Sequence, residues 1–152
     1  DCLLSRGLGD VYKRQGVSRI TPIISERTEV KELNYERAQK IVIEATEQSN
    51  QLNPPEVTKV IKLKDFLEKL DSGSKFLFAD VNSQNNLQKK DVDGDALKTI
   101  LIGPEGDFSP GERESILAKA NTTSFSISKN ILRSDTAVIS AISLVNFINN
   151  LH

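Results

Sequence analysis

The sequence predicts an α/β domain: a mostly parallel sheet flanked by helices. Three observations predict it. Segments of strand character alternate with segments of helical period, "KFLFA" and "TILIG" are apolar or β-branched runs of the kind that lie inside a sheet, and a legible helix start follows the second of them. At 152 residues, 38% apolar and 27% charged, the chain has the composition of one ordinary globular domain.

In chain order, "SRITPIIS" from Ser18 is a short β-rich run. From Asn34, a plausible N-cap, the period changes. Ala38, Ile41, Val42 and Ala45 fall on one face of a helix from about Tyr35 to Ser49, and "NPP" at Asn53 stops it. "VTKVIKL" alternates as a strand should, "KDFLEKLDSG" reads as a short helix closed by Gly73, and Asn82 to Asp95 reads as a polar loop. After "TILIG", Ser109 is an N-cap, Pro110 suits the first helical position, and Glu112 completes a capping box for a helix to about Ala120. "TTSFSIS" is the next strand, and a last helix runs from about Asp135 to Asn149. Val138, Ala141, Ile142, Val145 and Ile148 share one face of that helix, with Ile139, Leu144 and Phe147 opposite. Such a helix wants burial on two sides, either in the monomer core or at a subunit interface.

Composition excludes several chemistries. Cys2 is the single cysteine and His152 the single histidine, so neither a disulfide nor a cysteine and histidine metal site is expected, and no metal is assigned. No apolar run approaches the ~20 residues of a membrane span, and no secretion signal is read; the expected location is cytoplasmic, with no membrane partner. "SRGLGDVYKRQ", Ser5 to Gln15, resembles a translated sequencing adapter, so residues 1–15 are set aside as foreign and the domain is taken as 16–152. Removing Arg6, Lys13 and Arg14 with Asp1 and Asp10 leaves a net charge of about −2. Such a domain has no broad basic face for a phosphate backbone.

The loop after "TILI" is glycine-bent and acidic: Gly103, Pro104, Glu105, Gly106, Asp107. Ligands of open α/β sheets bind beyond the carboxyl ends of strands, where glycine lets them approach the backbone. The phosphate-loop pattern is absent, and Glu105 with Asp107 would repel an anion. Adenosine, sugar hydroxyls or a cation suit this loop better. A tight turn with solvated carboxylates is the alternative.

"LIGPEGDFSPGE" followed by "ISKNILRSDTAVISAIS" resembles the paired signatures of the RsmE family of small-subunit ribosomal RNA methyltransferases, a GPEGG-type loop and an "LGxRILRTETA"-type segment. "GVSRITPIISERTEV" and "ERAQKIVIEATEQSNQLNPPEV" are similar to that family's upstream blocks, in the same order. The resemblance covers nearly all of Gly16 to Leu151. It implies a SPOUT-class domain with a C-terminal trefoil knot, a homodimer formed through the C-terminal helix, and methyl transfer from S-adenosylmethionine to N3 of one uridine in 16S ribosomal RNA of the small subunit. Carried over by position, Leu101, Ile102, Gly103, Glu105 and Gly106 match the first cofactor loop. Ile127, Ser128, Ile131 and Leu132 match the second, and Phe78 with Ala79 supplies a third wall. The sequence departs from the pattern in four places. Asp107 and Ser128 stand where glycine is usual, Asn130 where arginine is common, and Ser134-Asp135 where threonine and glutamate are usual. The resemblance also places an RNA-binding domain and an opening strand and helix upstream of Gly16, so this chain alone is expected not to methylate RNA.

Uridine N3 must shed a proton for such a reaction. Arg133, in the matching "ILR", is the candidate stabiliser of the anionic ring; its alternative role is an ion pair with Asp135. Glu47, Glu105 and Asp135 are candidate bases. Arg27 and Gln48, in "SER" and "EQS", are candidate RNA contacts or plain solvated groups. Two other readings stay open, a SPOUT enzyme acting on another nucleotide and a non-catalytic RNA-binding relative.

Overall fold

The computed structural model describes residues 2–8, 16–27, 39–40, 42–44, 47, 55–104, 107–127 and 134–149. The strands are β1 (Cys2–Leu8), β2 (Gly16–Ile24), β3 (Glu56–Val57), β4 (Ile61–Lys62), β5 (Lys75–Ala79), β6 (Lys98–Ile102) and β7 (Thr122–Phe125). The helices are α1 (Leu63–Lys69), α2 (Lys89–Val92), α3 (Pro110–Leu117) and α4 (Ser134–Asn149). Helical backbone also occurs at the described positions of 39–47, inside the helix expected there.

The strands form one sheet in the order β3-β2-β1-β6-β5-β7, with β4 also pairing β2. β1, inside the segment the sequence sets aside as foreign, runs antiparallel to both β2 and β6. The other pairings are all parallel, so six strands share one direction.

Each face of the sheet carries its own core. On one side, Ile23, Phe76, Phe78 and Leu101 meet Leu63, Phe66 and Leu67 of α1, Ile116 of α3, and Phe108. On the other, Ile20, Leu77, Ile100, Ile102 and Phe125 meet α4 through Val138, Ala141, Ile142, Val145 and Ile148. The central strands therefore have no solvent face, which is why "KFLFA" and "TILIG" do not alternate with polar residues.

The structure corrects four sequence expectations. "VTKVIKL" is two short pairings rather than one strand; the break lies opposite Thr21 and Pro22 of β2, where proline has no N–H for the ladder. The helix after it is not closed by Gly73, because Leu70 already turns to an extended backbone (φ −67°, ψ 125°). The polar loop contains α2, started by the Gln88 N–H donating to Asp91 Oδ2 at 2.8 Å and pinned by buried Val92 and Leu87. α3 stops at Leu117, earlier than expected.

The last helix forms as expected, but the face bearing Ile142 lies in the monomer core. Ile139 and Leu144 pack partly on the same core, while Phe147 remains 65% exposed. Ile142→Glu therefore tests folding, not association. It should abolish cooperative thermal unfolding, and Ile142→Ala should cost about 2–5 kcal/mol in chemical denaturation.

At the amino end of the sheet, Lys98 is buried and donates from Nζ to the Gly94 carbonyl at 2.9 Å. Burial, and then the neighbouring Lys75, push its pKa below the usual 10.5, against the fields of Asp95 and Asp93. Between the lowered value and 10.5 the unfolded chain binds more protons than the folded one, so this group makes stability rise with pH through that window. In Lys98→Met that component of the rise should be absent from denaturation midpoints measured across alkaline pH.

Candidate functional site

Parallel register brings three strand ends into one row: Ala79 of β5 lies beside Ile102 of β6 on one side and Phe125 of β7 on the other. The next residues, Asp80, Gly103 and Ser126, open three loops on one rim. The Asp80 N–H donates to the Phe125 carbonyl at 2.9 Å, and the Ser126 N–H to that of Asn85 at 2.9 Å. The chain after β2 reaches the same rim, where Arg27, Asn82, Asp107, Phe108 and Arg113 line an open cleft of about 690 Å³.

The sequence-derived positions divide by what they offer. Phe78 and Leu101 are fully buried in one core, and Ile102 is buried in the other. Their side chains are committed to packing, so a ligand would meet these strand ends through backbone. Ala79 and Ile127 are half-buried beside the second core. Gly103 lies at the rim, and Arg27 lines the cleft. Glu105, Gly106, Ser128, Ile131, Leu132, Arg133 and Gln48 lie outside the described residues. Of the candidate bases, Glu47 is exposed.

The loop is shaped by two residues. The Asp107 N–H donates to the Pro104 carbonyl at 2.9 Å, closing a tight turn, and Asp107 takes a left-handed backbone with φ of 61°. Glycine adopts that conformation without strain, which gives a physical reason for the usual glycine there; aspartate is among the few other residues that tolerate it. Its carboxylate compensates by accepting from the Phe108 N–H at 2.8 Å and from Asn82 Nδ2 at 3.2 Å. Gly103 is needed for a different reason. A Cβ there would stand 3.1 Å from the Phe108 ring, and that ring is fixed against Phe78 with centroids 5.8 Å apart.

Sequence reasoning missed the polar frame behind this loop. The Asp80 side chain is fully buried, yet its carboxylate is paired with Arg113 and accepts the Asn82 N–H at 2.9 Å. Hydrogen bonding to Asp80 raises the Arg113 pKa above its ordinary value; desolvation opposes this, while the charges of Asp80 and Asp107 add to it. An arginine in the first turn of a helix opposes the helix dipole, which is a weak cue that a carboxylate lies nearby, but nothing in the sequence singles out Asp80.

Glu112 does more than close the capping box. Its Oε2 accepts the Ser109 N–H at 3.2 Å, while Ser109 Oγ accepts the Glu112 N–H at 3.3 Å. Its Oε1 accepts the Glu26 N–H at 2.9 Å, tying the chain beside Arg27 to the start of α3. Glu112→Ala should lower stability by about 1–2 kcal/mol in urea denaturation. Amide exchange at Glu26 should accelerate with it, whereas a cap-only role would leave Glu26 unchanged.

Residues 13–146 match the RNA methyltransferase domain family. The chain is 35% identical over 144 residues to the ribosomal RNA small subunit methyltransferase E of Rickettsia conorii, an alignment covering 89% of this chain and 56% of that protein. Against the enzyme of the same name from Aquifex aeolicus the identity is 36% over 138 residues, covering 87% and 58%. A solved structure of ribosomal RNA small subunit methyltransferase E from Neisseria gonorrhoeae, bound to S-adenosyl methionine, aligns with a TM-score of 0.71 at 31% identity, covering 88% of this chain and 56% of that one. The chain thus spans little more than half the length of the curated relatives it matches. With the matched region running through the strand ends, the glycine-bent loop and most of α4, this chain belongs to the RNA methyltransferase domain family.

Proposed function

We propose that the chain binds S-adenosylmethionine on the rim formed by the ends of β5 and β6 and the loop after β7, and that the protein transfers its methyl group to N3 of a uridine in 16S ribosomal RNA of the small subunit. The observation that carries this reading is the conformation of Asp107. The residue departs from the usual glycine yet keeps the left-handed turn that glycine would supply. That favours a cofactor-competent loop over a non-catalytic RNA-binding relative. The chemistry of the loop suits the ligand: half-buried Gly103 backbone at the strand end for an adenine edge, carboxylate charge at Asp107 for a cation, and apolar strand ends behind it. Sequence relatives named for small-subunit ribosomal RNA methylation support the substrate class.

When bound, S-adenosylmethionine supplies an electrophilic methyl group on a sulfonium. The chain's part is to hold the uridine in line with that methyl and to favour its N3 anion. In this reading Arg133 places its positive charge where negative charge develops on the ring, a hydrogen-bonded arrangement that is strongest with water excluded. Glu105, Ser128, Ile131 and Leu132 complete the cofactor loops, while Arg27 and Gln48 meet the RNA. The proton leaves N3 to a carboxylate or to solvent. A trefoil knot, a homodimer and a cytoplasmic location belong to the same reading. Among the described residues of α4, Phe147 is an exposed large apolar side chain, and it rather than the Ile142 face offers a subunit contact.

Titration calorimetry tests the cofactor half of the proposal: the chain should bind S-adenosylmethionine, and Gly103→Val should reduce affinity at least tenfold, or about 1.4 kcal/mol. Valine there would displace the Phe108 ring as well as crowd the backbone, so circular dichroism must show an intact fold in the variant. Unchanged affinity with an intact fold would remove this loop from the site.

A further inference from the structure

We infer that Arg113 is a positioning residue for the loop after β6, holding its described end, residues 107–109, in a ligand-ready shape by anchoring α3 to the buried Asp80 at the end of β5. The inference deepens the cofactor reading above and rests on it for its functional consequence.

Asp80 is fixed before Arg113 reaches it. Its N–H is bonded to the Phe125 carbonyl, its own carbonyl accepts the Ser83 N–H at 3.1 Å, and its side chain is fully buried. A carboxylate in that setting must be paired, and the cation it recruits is held in turn. Arg113 Nη2 donates to Oδ2, and Nε lies 3.5 Å from Oδ1. The planar guanidinium therefore addresses both oxygens, a two-point geometry that lysine does not reproduce.

The anchored turn is the one into which the loop runs. The Arg113 N–H donates to the Ser109 carbonyl at 2.9 Å, so fixing Arg113 fixes the residue that ends the loop. At its other end the loop leaves Ile102, held in the sheet beside Ala79. A second tie reaches its middle from the same source: Asn82, whose N–H is bonded to Asp80 Oδ1, donates from Nδ2 to Asp107. Both ties start at the end of β5 and converge on a turn whose left-handed residue needs outside support. A loop restrained in this way has less freedom to lose when a ligand arrives. Arg113 thus acts through Asp80 and the helix start, without itself touching the ligand.

The test compares Arg113→Met and Arg113→Lys with the unaltered chain by thermal melting, by amide exchange without ligand, and by calorimetry with S-adenosylmethionine. Lys69→Gln, exposed on α1 and outside the lining of the cleft, is the control. Exchange at Asp107 and Phe108 should quicken roughly three- to thirtyfold relative to β6 in Arg113→Met, with a matching loss of affinity, and Arg113→Lys should recover part of both. The control should match the unaltered chain. Arg113→Met that melts cooperatively, with unchanged exchange at Asp107 and Phe108, overturns the inference. So does loop loosening without any loss of affinity in a chain that binds. If Arg113→Met does not fold, Arg113→Lys carries the same comparison. If the unaltered chain fails to bind S-adenosylmethionine, the cofactor reading falls, and the ligand-free exchange data alone decide whether Arg113 positions the loop.

Discussion

Three parallel strands ending in one row are the constraint on which the rest of the site depends. Because Ala79, Ile102 and Phe125 are register partners, the loops that follow them begin from a common edge and are close without any of them having to be long. The two cores set that edge rigidly. Phe76 and Phe78 face one layer and Leu77 the other, so a slip of one residue would exchange apolar partners on both sides of the sheet.

Upon that edge the loop stores a small amount of strain. A non-glycine residue at φ of 61° costs energy, and the hydrogen bonds from Phe108 and Asn82 offset it. Glycine at 103 and the left-handed turn at 107 answer different demands. The first makes room for an aromatic ring, and the second reverses the chain. A motif that shows only glycines in these places hides that distinction, and the aspartate at 107 exposes it.

Much of the architecture was legible because the chain marks it locally. The Ser109, Pro110 and Glu112 pattern gave the start of α3, and the all-apolar strands announced a sheet covered on both faces. The split of "VTKVIKL" was not legible, since it depends on Pro22 in a different strand. The role of the Ile142 face was ambiguous for a related reason: periodicity identifies a buried face but not what buries it. At the site, the glycine-bent loop stood out by composition, whereas the Asp80 pair joins residues far apart in sequence and became visible only once β5 and α3 were neighbours. Phe78, Leu101 and Ile102 lie in β5 and β6, strands the sequence expected there. The sequence alone did not show that their side chains face the cores rather than the rim.

The two separate cores also divide the molecule mechanically. Phe108 belongs to the loop and, through Phe78, to the layer that contains α1 and α3; α4 packs in the layer across the sheet. A displacement of the loop is therefore transmitted first into α1 and α3 by direct side-chain contact. To reach α4 by packing, it must pass through the backbone of strands whose hydrogen bonds resist shear. The sheet works as a stiff partition, with the loop mounted on one side of it.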